Sequence, residues 1–198
     1  MSSIHEELNK IRIIDGHEHI DPKEIRKKNN VDFFGLLHYL DSDLITAGMK
    51  RGILSQNSKL SVEEKAEQFL TFYQKTKNTT YARTLKTAVH DLYGMDDWSV
   101  NGILSLNEKV LAATNDEQWY TKVLKEKAGI DVAFTLAYTT NVDFSLFRPI
   151  MFLDYAYKLR NLKDVQIIER DSGRTVHTFQ DYLHAVDALL YKFVSEGM

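Results

Sequence analysis

The chain contains no cysteine, which excludes disulfide bonds, thiolate metal ligands and thiol nucleophiles. It also lacks any run of about 18 apolar residues, the length that a membrane-spanning helix requires. Charge of one sign is not in excess, since the formal net charge is -3 and the basic residues are dispersed. These absences argue against a disulfide-linked scaffold, a membrane protein and a nucleic-acid-binding protein. A cytoplasmic location is the default expectation.

Sequence motifs for phosphate binding and for an activated serine are also missing. There is no Gly-rich phosphate loop and no Gly-x-Ser-x-Gly motif. Only two prolines and nine glycines interrupt the chain, and no low-complexity linker or repeat marks a domain boundary. A single domain over residues 1–198 is therefore expected. Any metal in it must be held by His, Asp, Glu or a modified Lys.

Hydrophobic periodicity predicts an α/β protein whose strands alternate with helices, which implies that the strands pair in parallel. Between the first and second strands a helical period persists, with a capping-box pattern at Ser61 and Glu64 and a helix end at Gly94. The predicted elements are a short helix at 3–10, strands at 11–17, 131–138 and 146–154, a helical run at about 29–128, a β-hairpin at 165–178 and a final helix at 179–196.

The first predicted strand carries the residues most suggestive of chemistry. Ile11, Ile13 and Ile14 form an apolar run typical of a strand buried on both faces. His17 and His19 follow, and alternate side chains of a strand point to the same face. Two imidazoles side by side at the end of a strand form half of a metal site. Two polar residues that merely alternate would give the same pattern.

Two acidic residues accompany this histidine pair. Asp15 shares the predicted face of the two histidines, so its carboxylate is expected either to orient a metal-bound imidazole or to serve a structural role in the interior. Glu18 is predicted to point to the opposite face of the strand.

Residues 15–19, Asp-Gly-His-Glu-His, resemble the strand-1 His-x-His motif of the amidohydrolase superfamily of metal-dependent (β/α)8 barrels. Residues 32–49, 78–94 and 123–130 resemble the branch that contains uronate isomerases and "amidohydrolase 2" proteins, in which helices are inserted after strand 1. The resemblance implies the N-terminal part of a TIM-type barrel with a large helical insertion. It implies only part of a barrel, because a complete one takes about 250 residues.

The resemblance implies a divalent metal bound by His17 and His19, with zinc favoured over manganese or iron. In the family, further ligands are a carbamylated Lys or a Glu on strand 4 and His on strands 5 and 6. An Asp on strand 8 is the general base. The chain is expected to stop about where strand 4 begins, so no catalytic residue is assigned.

Tyr81 and Arg83 fall in the segment that helps bind the sugar acid in uronate isomerases. An arginine suits a carboxylate because its guanidinium donates two parallel hydrogen bonds. The Ala-Arg-Thr-Leu sequence at 82–85, however, replaces the His- and Trp-rich pattern of the isomerases. The alternative is therefore that Arg83 is a solvent-exposed charge on a helix and does not contact a substrate.

Three functions follow from the resemblance. The first is a metal-dependent hydrolase that attacks a small polar carbonyl compound with metal-activated water. The second is an aldose–ketose isomerase acting on a sugar acid. The third is not an enzyme, because a partial barrel exposes a strand edge and would act only through self-association. The expected partners are a small-molecule substrate and a second copy of the chain, with neither nucleic acid nor a membrane.

Overall fold

The computed structural model describes residues 3–136 and 142–198, which form a mixed α/β fold. The helices and strands, in chain order, are α1 (Ile4–Leu8), β1 (Ile13–Glu18), α2 (Lys23–Lys28), α3 (Leu40–Thr46), α4 (Val62–Thr76), α5 (Thr80–Tyr93), α6 (Val100–Asn115), β2 (Ile130–Thr135), β3 (Phe147–Pro149), α7 (Asp154–Tyr157), α8 (Leu162–Ser172) and α9 (Phe179–Ser195). A 3-10 turn at Phe34–Leu36 and a π-helix at Thr121–Lys127 complete the described elements.

The chain divides into two compact units. The first unit contains the described residues of Met1–Pro22 and Tyr120–Met198, and the second is Lys23–Trp119. The sheet belongs to the first unit, whereas the second unit has helices alone among its described elements. No helix in the described part of the chain has the length and apolar character needed to cross a membrane. The single domain over residues 1–198 stays a prediction.

The sheet has the strand order β1-β2-β3, and both pairs of strands are parallel. Ile14 lies opposite Val132, and Ala133 lies opposite Phe147. The predicted parallel pairing and the mixed α/β class are therefore confirmed. The described residues form a three-stranded sheet, so a closed barrel and an insertion into it remain predictions.

The prediction that the first strand is buried on both faces is wrong. Ile11, Ile13 and Ile14 are 62%, 46% and 69% exposed. β1 stands at the edge of the described sheet and pairs with β2 alone, so no strand on its other side covers these side chains. The predicted association of two copies of the chain through the exposed apolar edge at β1 stays a prediction.

The second and third strands are shorter than predicted. β2 ends at Thr135, and residues 137 and 138 of the predicted strand lie outside the described residues. β3 ends at Pro149, which has no N–H to donate to a ladder and lies on the other edge of the sheet. The N–H of Ile150 still donates to the Thr135 carbonyl at 2.9 Å, which ties the end of β3 to β2.

The predicted β-hairpin at 165–178 is wrong, because these residues form most of α8 and the turn before α9. Asn161 caps α8 by accepting a hydrogen bond from the Lys163 N–H at 2.9 Å, and Asp164 completes a capping box. Gly173, expected in a hairpin turn, ends α8 with a left-handed φ of 69°. Ile168 is fully buried in a cluster shared with α9, so packing between the two helices overrides the β-branched character of the segment.

Hydrogen bonds at two helix ends of the second unit agree with the capping signals in the sequence. The Ser61 side chain accepts a hydrogen bond from the Glu64 N–H at 3.1 Å, and the Glu64 carboxylate accepts one from the Ser61 N–H at 2.7 Å. Gly94 ends α5 with φ 62°. These contacts confirm the predicted capping box and the predicted helix end. The helices enclose an aromatic core in which Phe69 is fully buried.

Two buried polar side chains of α6 hold the segment that precedes α3. Asn107 Oδ1 accepts a hydrogen bond from the Phe33 N–H at 3.0 Å. The Thr114 hydroxyl donates to the Val31 carbonyl at 2.6 Å. Asn107 is only 5% exposed, so loss of its amide would leave the Phe33 N–H without a partner in an apolar environment.

We expect Asn107→Ala to lower the free energy of unfolding by about 1–3 kcal/mol, the usual cost of an unsatisfied buried donor. Asn101→Ala is the matched control, since Asn101 lies exposed on the same helix. The control should change the free energy of unfolding by less than about 0.5 kcal/mol. Urea unfolding followed by circular dichroism measures both values. Equal losses in the two variants would contradict the role assigned to Asn107.

Candidate metal centre

The histidine pair lies at the end of the edge strand of the first unit. His17 is the penultimate residue of β1, and His19 follows directly after the strand. Both side chains are exposed. Their Nε2 atoms are 3.0 Å apart, and their ring centroids are 4.9 Å apart. The two imidazoles therefore converge, so one small ligand can contact both nitrogens.

The spacing of the two nitrogens fits a shared cation. Metal–nitrogen bonds of about 2.0–2.1 Å at a tetrahedral angle place two donor nitrogens about 3.3 Å apart. The observed 3.0 Å separation is close to that value, and it is also the length of a direct hydrogen bond in which one ring donates and the other accepts. Within residues 3–136 and 142–198, no group of three His, Asp or Glu side chains forms a cluster that could hold a metal. The described residues thus supply two ligands, whereas zinc sites use three or four protein ligands.

Asp15 reaches His17 through the backbone. The His17 N–H donates a hydrogen bond to Asp15 Oδ1 at 3.2 Å. This contact helps to hold the backbone where the His17 side chain leaves the strand. The contact to an imidazole ring that the sequence suggested for Asp15 stays a prediction.

Glu18 contacts Asp15, although simple alternation predicts that the two residues lie on opposite faces. Asp15 lies opposite Ala133 and Glu18 opposite Thr135, so β1 uses one more residue than β2 over this stretch. Such a bulge interrupts the alternation of side chains. Burial raises the pKa of the Glu18 carboxyl, and the hydrogen bond and charge of Asp15 raise it further. The Glu18 carboxyl therefore takes up a proton at a higher pH than an isolated glutamate does.

The backbone that carries His19 is anchored on three sides by residues far away in sequence. The Leu136 N–H donates to the Glu18 carbonyl at 3.0 Å. The Thr135 hydroxyl donates to the Ile20 carbonyl at 3.0 Å, and the Tyr120 hydroxyl donates to the Asp21 carbonyl at 2.6 Å. Sequence reasoning missed Thr135 and Tyr120, because neither belongs to a recognisable motif. For Thr135, the one indication in the sequence is a hydroxyl side chain within a largely apolar strand.

Tyr81 and Arg83 lie on α5 in the second unit, and both are exposed. Residues two apart on a helix are separated by about 200° around its axis, so the structure does not bring these two side chains together. Tyr81 instead stacks on Tyr39, with ring centroids 5.3 Å apart and planes 26° apart. A role in substrate binding stays a prediction for both residues.

His38 is a feature of the second unit that the sequence did not single out. Its φ is 39°, a left-handed conformation that is uncommon for a residue other than glycine. Its ring lies against that of Tyr39, with centroids 4.1 Å apart. His38, Tyr39 and Tyr81 together form an exposed group of rings, which we call the aromatic platform.

No protein-family model matches the chain, and no curated protein matches it. Among solved structures, the fold is similar to that of glucuronate isomerase from Caulobacter crescentus, with a TM-score of 0.65 and 18% sequence identity. The match covers 94% of this chain and 44% of the isomerase chain. This chain therefore spans less than half the length of that protein. At this identity the likeness shows a shared fold alone.

Proposed function

We propose that His17 and His19 bind a divalent cation and that the chain supplies this pair to the active site of a sugar-acid isomerase. The observation that carries the proposal is the 3.0 Å separation of the two Nε2 atoms. The likeness to glucuronate isomerase supports isomerisation of a sugar acid over the hydrolase alternative. Metal-dependent hydrolysis stays a prediction, as do the identity of the metal and the cytoplasmic location.

The residues of this chain bind and orient in the proposed site. A divalent cation would supply Lewis-acid polarisation of a substrate oxygen. The Nε2 atoms of His17 and His19 lie 3.0 Å apart, so both could bind one cation once the hydrogen bond between them is broken. Asp15 holds the backbone beside His17 through the hydrogen bond that it accepts from the His17 N–H.

We further propose that the aromatic platform binds a sugar ring. Exposed aromatic faces offer an apolar surface on which the C–H groups of a sugar can pack, while the tyrosine hydroxyls remain free to meet its oxygens. Tyr39 and Tyr81 are stacked and exposed, which presents such a surface in the second unit. Arg83 would act separately, by pairing with the carboxylate of the sugar acid.

Zinc binding tests the histidine pair. We expect His17→Ala and His19→Ala each to weaken Zn²⁺ binding by about 10–100-fold, because removal of a ligand costs at least as much as removal of a group that supports one. Isothermal titration calorimetry of the 198-residue chain measures this change. His184→Ala is the matched control, since His184 is an exposed histidine on α9. Zinc binding that survives loss of both His17 and His19 would refute the proposal.

Ligand-observed NMR tests the aromatic platform. We expect Tyr81→Ala to abolish saturation transfer from the protein to both glucuronate and glucose, since a stacking surface recognises the ring and not its charge. Arg83→Ala should weaken transfer to glucuronate alone, because glucose has no carboxylate. Tyr191→Ala serves as the control, since Tyr191 is an exposed tyrosine in the other unit. Unchanged transfer in Tyr81→Ala would overturn the proposal that the platform binds a sugar ring.

A further inference from the structure

We infer that Thr135 and Tyr120 are positioning residues that hold the His19 imidazole beside that of His17. Both act through hydrogen bonds to the backbone that carries His19. The consequence for metal binding rests on the proposed function, whereas the placement of the two rings can be measured without any metal.

His19 lies outside the regular strand, so the ladder of β1 does not by itself fix its direction. The peptide group before His19 is held by the Leu136 N–H, which donates to the Glu18 carbonyl at 3.0 Å. The peptide group after Ile20 is held by the Thr135 hydroxyl, which donates to the Ile20 carbonyl at 3.0 Å. With one anchor on each side, the backbone dihedral angles of His19 have little freedom.

A hydroxyl group is unusual at the position of Thr135, because the side chain is buried. Thr135 is 1% exposed at the end of β2, where valine would have the same branched shape without a polar atom. Burying a hydroxyl is unfavourable unless it forms a hydrogen bond, and the Ile20 carbonyl supplies that partner. The hydroxyl thus serves to connect β2 to the segment that carries His19.

Tyr120 holds the same segment from a different element. Its hydroxyl donates to the Asp21 carbonyl at 2.6 Å, and its ring packs edge-on against Phe147 at a centroid distance of 5.7 Å. Phe147 belongs to β3 and is buried. The turn after His19 is therefore tied to the far strand of the sheet. Binding sites gain affinity when their ligating side chains are fixed in advance by such supports.

Metal-free NMR tests the placement directly. In the wild-type chain the ring centroids of His17 and His19 are 4.9 Å apart, so we expect a nuclear Overhauser effect between their ring protons. Thr135→Val and Tyr120→Phe should remove that effect and lower the order parameter of the His19 amide from about 0.85 towards 0.6. Thr135→Ser retains the hydroxyl and should preserve both observables. Unchanged observables in Thr135→Val and Tyr120→Phe would overturn the inference.

Zinc affinity and thermal stability should rank the two Thr135 variants in opposite orders. Thr135→Val keeps the buried methyl group of threonine and replaces the hydroxyl with a second methyl, so it should remain the more stable, yet it should bind Zn²⁺ about tenfold more weakly. Thr135→Ser loses a buried methyl group and should be less stable, yet it should retain wild-type affinity. Affinity that follows stability would show a purely structural role and overturn the inference. If wild-type zinc binding does not depend on His17 and His19, the proposed function fails, while the metal-free NMR still decides the placement.

Discussion

The parallel pairing of β1 with β2 is the interaction on which the candidate site depends. Glu18 lies opposite Thr135 in this ladder, and the segment that follows Glu18 takes its remaining anchors from β2 and from Tyr120. The bonded residues Ile20 and Thr135 are 115 positions apart in sequence. The entropy of closing so long a loop grows only with the logarithm of its length. Much of the intervening chain folds around a core of its own, so its ordering does not depend on the strand ladder alone.

Structure determined by hydrogen bonds within a few residues could be read from the sequence. The capping box at Ser61 and the left-handed helix end at Gly94 are of this kind, because the groups that decide them are neighbours in the chain. The segment 165–178 shows where such reading fails. Its β-branched residues favour a strand locally, but Ile168 becomes fully buried only when the segment is helical and packs against α9. The exposure of Ile14 has a similar cause, since a strand's burial depends on neighbours that its own residues do not specify.

In the candidate site, too, the features set by neighbouring residues could be predicted from the sequence, whereas those set by distant residues could not. Alternation along a strand places His17 and His19 together, and the structure has their Nε2 atoms 3.0 Å apart. Alternation alone does not predict the contact between Asp15 and Glu18, because the bulge in β1 appears only when the pairing with β2 is known. Thr135 and Tyr120 could not be found for the same reason. Their hydroxyls donate hydrogen bonds to backbone carbonyl groups. Every residue has such a carbonyl, so the pattern of side chains in the sequence does not indicate which ones are bonded.

A site with few ligands depends more strongly on the rigidity of its support. In the proposed site His17 and His19 would be the two ligands supplied by the described residues, so each metal–nitrogen bond would contribute a large share of the binding free energy. Two metal–nitrogen bonds would give a small total binding free energy, and any entropy lost in ordering the His19 backbone would reduce it further. Anchors that fix this backbone before binding remove the cost, and they do so at a position that lies beyond the end of β1. If a cation binds as proposed, the three donors to the Glu18, Ile20 and Asp21 carbonyls would therefore matter more to its affinity than they would in a site with four protein ligands.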